Sequence, residues 1–361
     1  MQYIGVMSGT SCDGVDIALM NFDHGVDTIA TSFQPYDNEL KAQLLKLIAN
    51  KPFSVSAISQ IDARLAHLYA NTINDFLHQN HISRLDVKAI GLHGQTVFHD
   101  PDSQYANTIQ LGSAATVAKA TGILTVNNFR QMDVACGGQG APLAPIFHQQ
   151  MFQQPQKKII VLNLGGIANI SLLKDNHILG FDTGPANCLC DEWMMKQNHK
   201  PYDEGGSWAK QGKVNTDLLS AMLDDPYFSQ PHPKSTGREL FNVQWLNRYI
   251  ADQNIDAVDV QRTLLQLTVE SVVEGINLLN QKIDTVVVCG GGVHNKFMMT
   301  LLQNALQVPV ESSAVHGIDP DFVEAALMAW LAEQNIKKNR LNLMAVTGAD
   351  CSLIYGVPNI P

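Results

Sequence analysis

The stretch GVMSGTSCDGVDIALMNF, residues 5–22, is a glycine-rich turn between two apolar runs, and its pattern returns later in the chain. Around it, QYIGVMS (2–8), VDIALMNF (15–22) and VDTIATSF (26–33) read as three strands, with DHG as the second turn. Roughly 155 residues on, KKIIVLNLGGIANISLLKDNHILGFDTGPAN (157–187) repeats the order strand, glycine turn, strand, KDN turn, strand. The repetition predicts two related domains, each with a turn suited to phosphate.

Helical periodicity follows the first repeat near 38–49 and 56–80. In the second of these, Ile58, Ile61, Leu65, Leu68, Ile73 and Phe76 recur at three- and four-residue steps. VKAIGLHG (87–94), TIQLGS (108–113) and ILTV (123–126) are strand-like. After the second repeat come a long helical pattern at 257–282 and TVVVCGGGVHNKFMM (285–299), a buried strand leading through glycines into a helix. PDFVEAALMAWLAEQ (320–334) reads as a helix with Pro320 near its start. Alternating strands and helices predict an α/β class. Runs such as IIVLNL and TVVVC, apolar on both faces, suit sheets covered on both sides.

A chain of 361 residues has room for about two domains. With 45% hydrophobic and 16% charged residues it has an ordinary folded composition. A net charge of -10 argues against a nucleic-acid partner, whereas a local pocket can still take a small anion. The six cysteines (12, 136, 188, 190, 289, 351) form no CxxC pair, so a reduced, cytoplasmic chain is expected. No leader pattern opens the sequence and no apolar run reaches the ~18 residues of a membrane span.

The opening turn holds Gly9, Thr10, Ser11, Cys12, Asp13, Gly14, Val15 and Asp16 but no lysine, and the Walker pattern is absent. Backbone amides of a glycine turn can cradle an anion unaided. Asp13 and Asp16 repel phosphate, yet they can hold a magnesium ion through water, Asp13 foremost. A plain hairpin turn is the competing reading. Gly165 and Gly166 form the second such turn, and Gly290, Gly291 and Gly292 a third. Three together favour a nucleotide, although none is GxGxxG. Within the first, the nest of amides is expected to favour the thiolate of Cys12.

Asp182, in GFDTGPAN, is either a general base at a strand end or, with Thr183, a helix cap. FRQMDVACGGQGAPLAP (129–145) carries Arg130 and Asp133, and PHPKSTGRE carries Lys234, Ser235, Thr236, Arg238 and Glu239. Such groups on glycine loops suit a carboxylate or sugar ligand, or simply bond their own loops. His93 and His99, six apart, favour structural or substrate-facing roles over metal binding. There is no GxSxG elbow for serine hydrolysis.

Taken in order, GVMSGTSCDGVD, FRQMDVACGGQGAPLAP, LNLGGIANIS, GFDTGPAN, PHPKSTGRELF and CGGGVHN resemble the signature of the anhydro-N-acetylmuramic acid kinases, over most of residues 4–330. The resemblance implies two ribonuclease-H-like domains of the actin and hexokinase type with an ATP cleft between them. The expected domains are residues 1–127 with about 340–361, and 128–339. It implies ATP-dependent opening and phosphorylation of 1,6-anhydro-N-acetylmuramic acid, giving N-acetylmuramic acid 6-phosphate and ADP in peptidoglycan recycling, with ATP and Mg2+ required. By resemblance, residues Gly9 to Asp16 match the ATP-phosphate loop, Asp182 the catalytic base and Gly290 to Gly292 the adenosine-side turn. Glu324 resembles a substrate-binding acid, and Arg130 and Gln95 are expected at the sugar. Ala186, Asn128 and Cys12 stand where glycine, aspartate and an aliphatic residue are usual. The implied partners are the sugar and ATP, with neither nucleic acid nor membrane; a homodimer is compatible. The alternatives are an ordinary sugar kinase acting on a free hydroxyl and an ATPase switch of the same superfamily.

Overall fold

The apolar run that opens the chain forms β1 (Gln2–Ser8), which turns back as β2 (Gly14–Asn21) and continues antiparallel into β3 (Asp27–Pro35). The structure is a computed structural model and describes residues 1–9, 11–174, 177–232, 234–251 and 253–361. On the other side of β1 lie β4 (Val87–Asp100) and then β6 (Thr125–Asn127), both parallel to it, while β5 (Asn107–Leu111) pairs antiparallel with the outer half of β4. The second repeat builds the same arrangement. Antiparallel β7 (Ile159–Leu164), β8 (Ile167–Lys174) and β9 (His177–Pro185) are followed by β10 (Thr285–Cys289) and β11 (Val310–Ser312), parallel to β7. The two cores therefore share one order, β3-β2-β1-β4-β6 and β9-β8-β7-β10-β11. That is the ribonuclease-H-like order, and the chain is mixed α/β. The first sheet gains a last strand, β12 (Val357–Asn359), antiparallel to β6. Two residues of the expected KDN turn, 175 and 176, lie outside the described residues.

Two compact units result, Met1–Phe147 with Gly317–Pro361, and His148–His316. Segments 128–147 and 317–339, expected in the second domain, thus belong to the first. The reason is the helix Val323–Ile336. Gly5 on β1 and Gly91 on β4 sit side by side in register. A Cβ at Gly5 would lie 1.7 Å from the carbonyl oxygen of Ala325, and one at Gly91 1.9 Å from that of Met328. Only two adjacent glycines let the helix backbone rest on the sheet. Ala325, Ala326, Ala329 and Ala332 keep the approach close, and every residue from Ala325 to Glu333 is buried. The opposite face of this sheet carries Leu65, Tyr69, Ile73 and Phe76 of the helix Val55–Gln79.

In the second unit, the helix Ala257–Leu278 lies along β8 and β9. Leu264, Leu267, Val272 and Ile276 on this helix, with Leu279 just past its end, join the apolar core. No helix among the described residues is long and apolar enough to cross a membrane.

Candidate active site

In the first unit the glycine loop leaves β1 at Ser8, which is fully buried. A relay of hydroxyls fixes it: Tyr69 to Tyr36 at 3.1 Å, Tyr36 to Ser8 at 2.6 Å, and Ser8 to Gln95 Oε1 at 2.6 Å. Gln95 Nε2 then donates to the carbonyls of Gly9 and Thr96, at 3.1 and 3.3 Å. Gln95, expected at the sugar, is wholly buried, and its amide bonds Ser8 and the carbonyls of Gly9 and Thr96, so it shapes the loop. Thr10 lies outside the described residues. Gly9 and Cys12 close a turn, Cys12 N–H to Gly9 carbonyl at 3.2 Å, with Cys12 in the left-handed region at φ 52°. The thiol faces the apolar core, and burial, then the charge of Asp13, pushes its pKa up to about 11. The thiolate expected from the nest is thus disfavoured, because burial in the apolar core outweighs the loop's influence on the thiol. Asp13 is exposed and paired with Lys41, from the helix Asn38–Ile48. The lysine-free loop therefore has a lysine beside it.

Close to that loop, Asp16 on β2 is partly buried and its pKa is raised to about 7. Desolvation is the main cause, followed by the negative charges of Glu324, Asp321 and Asp13. Glu324 is carried on the first turn of the glycine-seated helix. It is solvent-accessible, yet desolvation still raises its pKa, against the pull of Arg130. Arg130 rides on the helix Phe129–Ala135, which Asn128 starts from the left-handed region at φ 60°, ψ 33°. Asparagine accepts that conformation readily, so the departure from aspartate at 128 is tolerated. The guanidinium donates to His93 Nε2 at 2.8 Å and to the Gly140 carbonyl at 3.0 Å. His93 is buried, its Nδ1–H donates to the Gly94 carbonyl at 2.6 Å, and desolvation beside Arg130 lowers its pKa to about 3. A neutral imidazole thus aims a charged arginine. His99 instead contacts Thr108 at 3.1 Å. Asp133 is structural: its carboxylate accepts from Gly140 N–H, Thr347 and Tyr355, at 2.7, 2.8 and 2.6 Å.

In the second unit both glycine turns stand at the carboxyl ends of parallel strands β7 and β10, the end where α/β sheets bind ligands. The carbonyls of Gly165 and Gly166 accept from Ala186, Asn187 and Cys188 at 3.0–3.1 Å, capping the helix Asn187–Asn198. Asp182 and Thr183 therefore do not cap that helix. A Cβ at Gly290 would fall 2.5 Å from Asn163 Oδ1 and one at Gly292 2.4 Å from Leu164, whereas Gly291 is exposed with open space around it. Asp182 is half-buried on β9. Its Oδ2 accepts from Thr236 N–H at 2.9 Å, its carbonyl from Tyr227 at 2.7 Å, and its N–H donates to the Lys234 carbonyl at 3.0 Å. Desolvation, partly opposed by the Thr236 N–H and reinforced by Glu239, raises its pKa to about 6. Lys234 is structural, its ammonium bonded to the carbonyls of Tyr227 and Phe228 at 3.0 and 2.9 Å. Arg238 is exposed and lies against Gly166.

A sequence model of the anhydro-N-acetylmuramic acid kinases matches residues 1–359. The chain belongs to that family. It is similar to the anhydro-N-acetylmuramic acid kinase of Pasteurella multocida (strain Pm70), 46% identical, covering 99% of this chain and 96% of that one. It is 44% identical to that of Vibrio cholerae serotype O1, with 99% and 98% covered. Among solved structures, a ROK family glucokinase from Streptomyces griseus in complex with glucose and AMPPNP covers 92% of this chain and 100% of its own, at 13% identity and a TM-score of 0.41. That likeness is too distant to carry an argument. As an anhydro-N-acetylmuramic acid kinase family member, the chain is a phosphotransferase acting on an alcohol group.

Proposed function

We propose that the chain uses ATP to open the internal bridge of 1,6-anhydro-N-acetylmuramic acid and phosphorylate O6, giving N-acetylmuramic acid 6-phosphate and ADP. The setting is cytoplasmic recycling of the cell wall. Asp182 is the observation that carries the chemistry. The substrate's O6 is an acetal oxygen and a poor nucleophile, so it must be released. Water attacking C1 does this through an oxocarbenium-like transition state, and the departing O6 takes the γ-phosphoryl group where a glycosidase would supply a proton. That scheme needs one carboxylate base. With Oδ2 held by Thr236 and a pKa of about 6, Asp182 is ionised at neutral pH and more basic than an ordinary aspartate.

ATP phosphates are assigned to the loop of residues 9–16 and the turn at Gly165–Gly166, and the adenosine side to Gly290–Gly292. Arg130, aimed by neutral His93, suits the substrate's carboxylate, and Glu324 suits its hydroxyl and amide donors. Among the described residues no group of three or more His, Cys, Asp or Glu could hold a metal alone. A magnesium ion bridging phosphates needs only one or two carboxylates and keeps its waters. Asp16 is raised chiefly by desolvation and then by the neighbouring carboxylates Glu324, Asp321 and Asp13, a gathering of negative charge that suits a cation, so Asp13 and Asp16 fit that role. Bound there, magnesium would neutralise phosphate charge.

Turnover in oxygen-18 water, with prompt trapping of the product, tests the reading. Label should enter C1 and be absent from the phosphate. Label in the phosphate, or a phosphorylated sugar with its bridge intact, would overturn it.

A further inference from the structure

We propose that Lys41 serves as the phosphate-contacting lysine missing from the glycine loop, resting on Asp13 until nucleotide arrives and then transferring its ammonium to a phosphate oxygen. This rests on the kinase reading above.

The fold delivers Lys41 to the loop along a short, fixed path. Tyr36 N–H donates to the Asp13 carbonyl at 3.0 Å, and the buried Tyr36 hydroxyl binds Ser8 at 2.6 Å. The next residue, Asp37, caps the helix by accepting from Leu40 N–H at 2.8 Å. Lys41 therefore sits on the first turns of a helix whose start is tied to the loop at both of its ends. The other carboxylates at that helix start are occupied, Asp37 and Glu39 meeting Arg64 at 2.8 and 3.3 Å. Lys41 is left to Asp13. Both partners stay accessible, with side-chain exposures of 38% and 58%. An ion pair so exposed is weak and readily exchanged. A phosphate carries more charge than a carboxylate, and an ammonium serves it as a point charge without demanding one geometry.

Binding of the non-hydrolysable analogue AMPPNP with magnesium, measured by calorimetry without sugar, tests this apart from turnover. Lys41→Met should weaken AMPPNP about ten-fold or more, and Lys41→Arg by no more than about three-fold. The melting temperature without nucleotide should stay unchanged in both. Lys41→Met should still lose affinity when built on Asp13→Asn. Wild-type affinity in Lys41→Met would overturn the proposal. So would a loss that vanishes in the Asp13→Asn background, since Lys41 would then only hold Asp13 in place. A wild-type chain that binds no AMPPNP at all would sink the kinase reading, and this one with it.

Discussion

Replacing Asp182 with asparagine separates catalysis from folding. The side chain keeps its size, and its amide oxygen can still accept from Thr236 N–H. Loss of a general base should lower kcat by ~10²–10⁴, or about 3–5 kcal/mol of transition-state stabilisation. Stability should move the other way. The pKa is raised from 3.8 to about 6, so the folded chain holds this proton more tightly than the unfolded one. Stability is therefore lost as pH rises from about 4 to about 6, and the loss persists above that range. At roughly 1.4 kcal/mol per unit, two units give about 3 kcal/mol, and a half-buried group keeps only part of it. Urea unfolding at pH 8 should find Asp182→Asn more stable than wild type by about 1–3 kcal/mol, with the difference gone at pH 4. The wild-type kcat/KM should show an acid limb near pH 6 that the variant lacks. A variant less stable than wild type at pH 8, or one that keeps more than a tenth of the wild-type rate, would refute the assignment.

Three other outcomes follow from the geometry. Asp16 must be ionised to hold magnesium, and its pKa is about 7, so the magnesium concentration for half-maximal AMPPNP binding should rise several-fold from pH 8 to pH 6, and less in Asp16→Asn. Gly5→Ala would place a methyl 1.7 Å from the Ala325 carbonyl, so thermal melting should show a loss of about 3 kcal/mol or more, whereas Gly291→Ala, facing open space, should leave the melting temperature unchanged. Cys12 is buried with its pKa at about 11, so iodoacetamide at pH 7.5 should label exposed Cys351 and spare Cys12, as peptide mass spectrometry would read.

The three antiparallel strands of each repeat and their duplication were readable along the sequence, because they are written locally in apolar runs and glycines, whereas the short strands Val310–Ser312 and Val357–Asn359 carry no such signal. The helix Val323–Ile336 was readable as a helix, but its place was not. Nothing near residue 325 says that Gly5 and Gly91 would be adjacent to receive it, and so the segment was expected in the other domain. Asp182 could be found as a carboxylate at a strand end, and only the carbonyls of Gly165 and Gly166, which take the helix-start amides, remove the cap reading. Gln95 and Lys234 carry groups that suit a ligand, and burial turned both inward. Lys41 and the His93–Arg130 bond were missed outright. The first pair lies 28 positions apart and the second 37, and neither falls within a motif.

The first unit begins with Met1 but takes a central helix, two of the three partners of Asp133 and its last strand from residues 323–359. The second is one unbroken stretch. During synthesis, the later-made unit therefore has every residue it needs as soon as position 316 clears the ribosome. The earlier-made unit must wait with Gly5 and Gly91 uncovered until the helix Val323–Ile336 has emerged. A ribosome stalled beyond residue 316 would present a finished second unit and an open first sheet, whose exposed apolar face is what a chaperone would recognise.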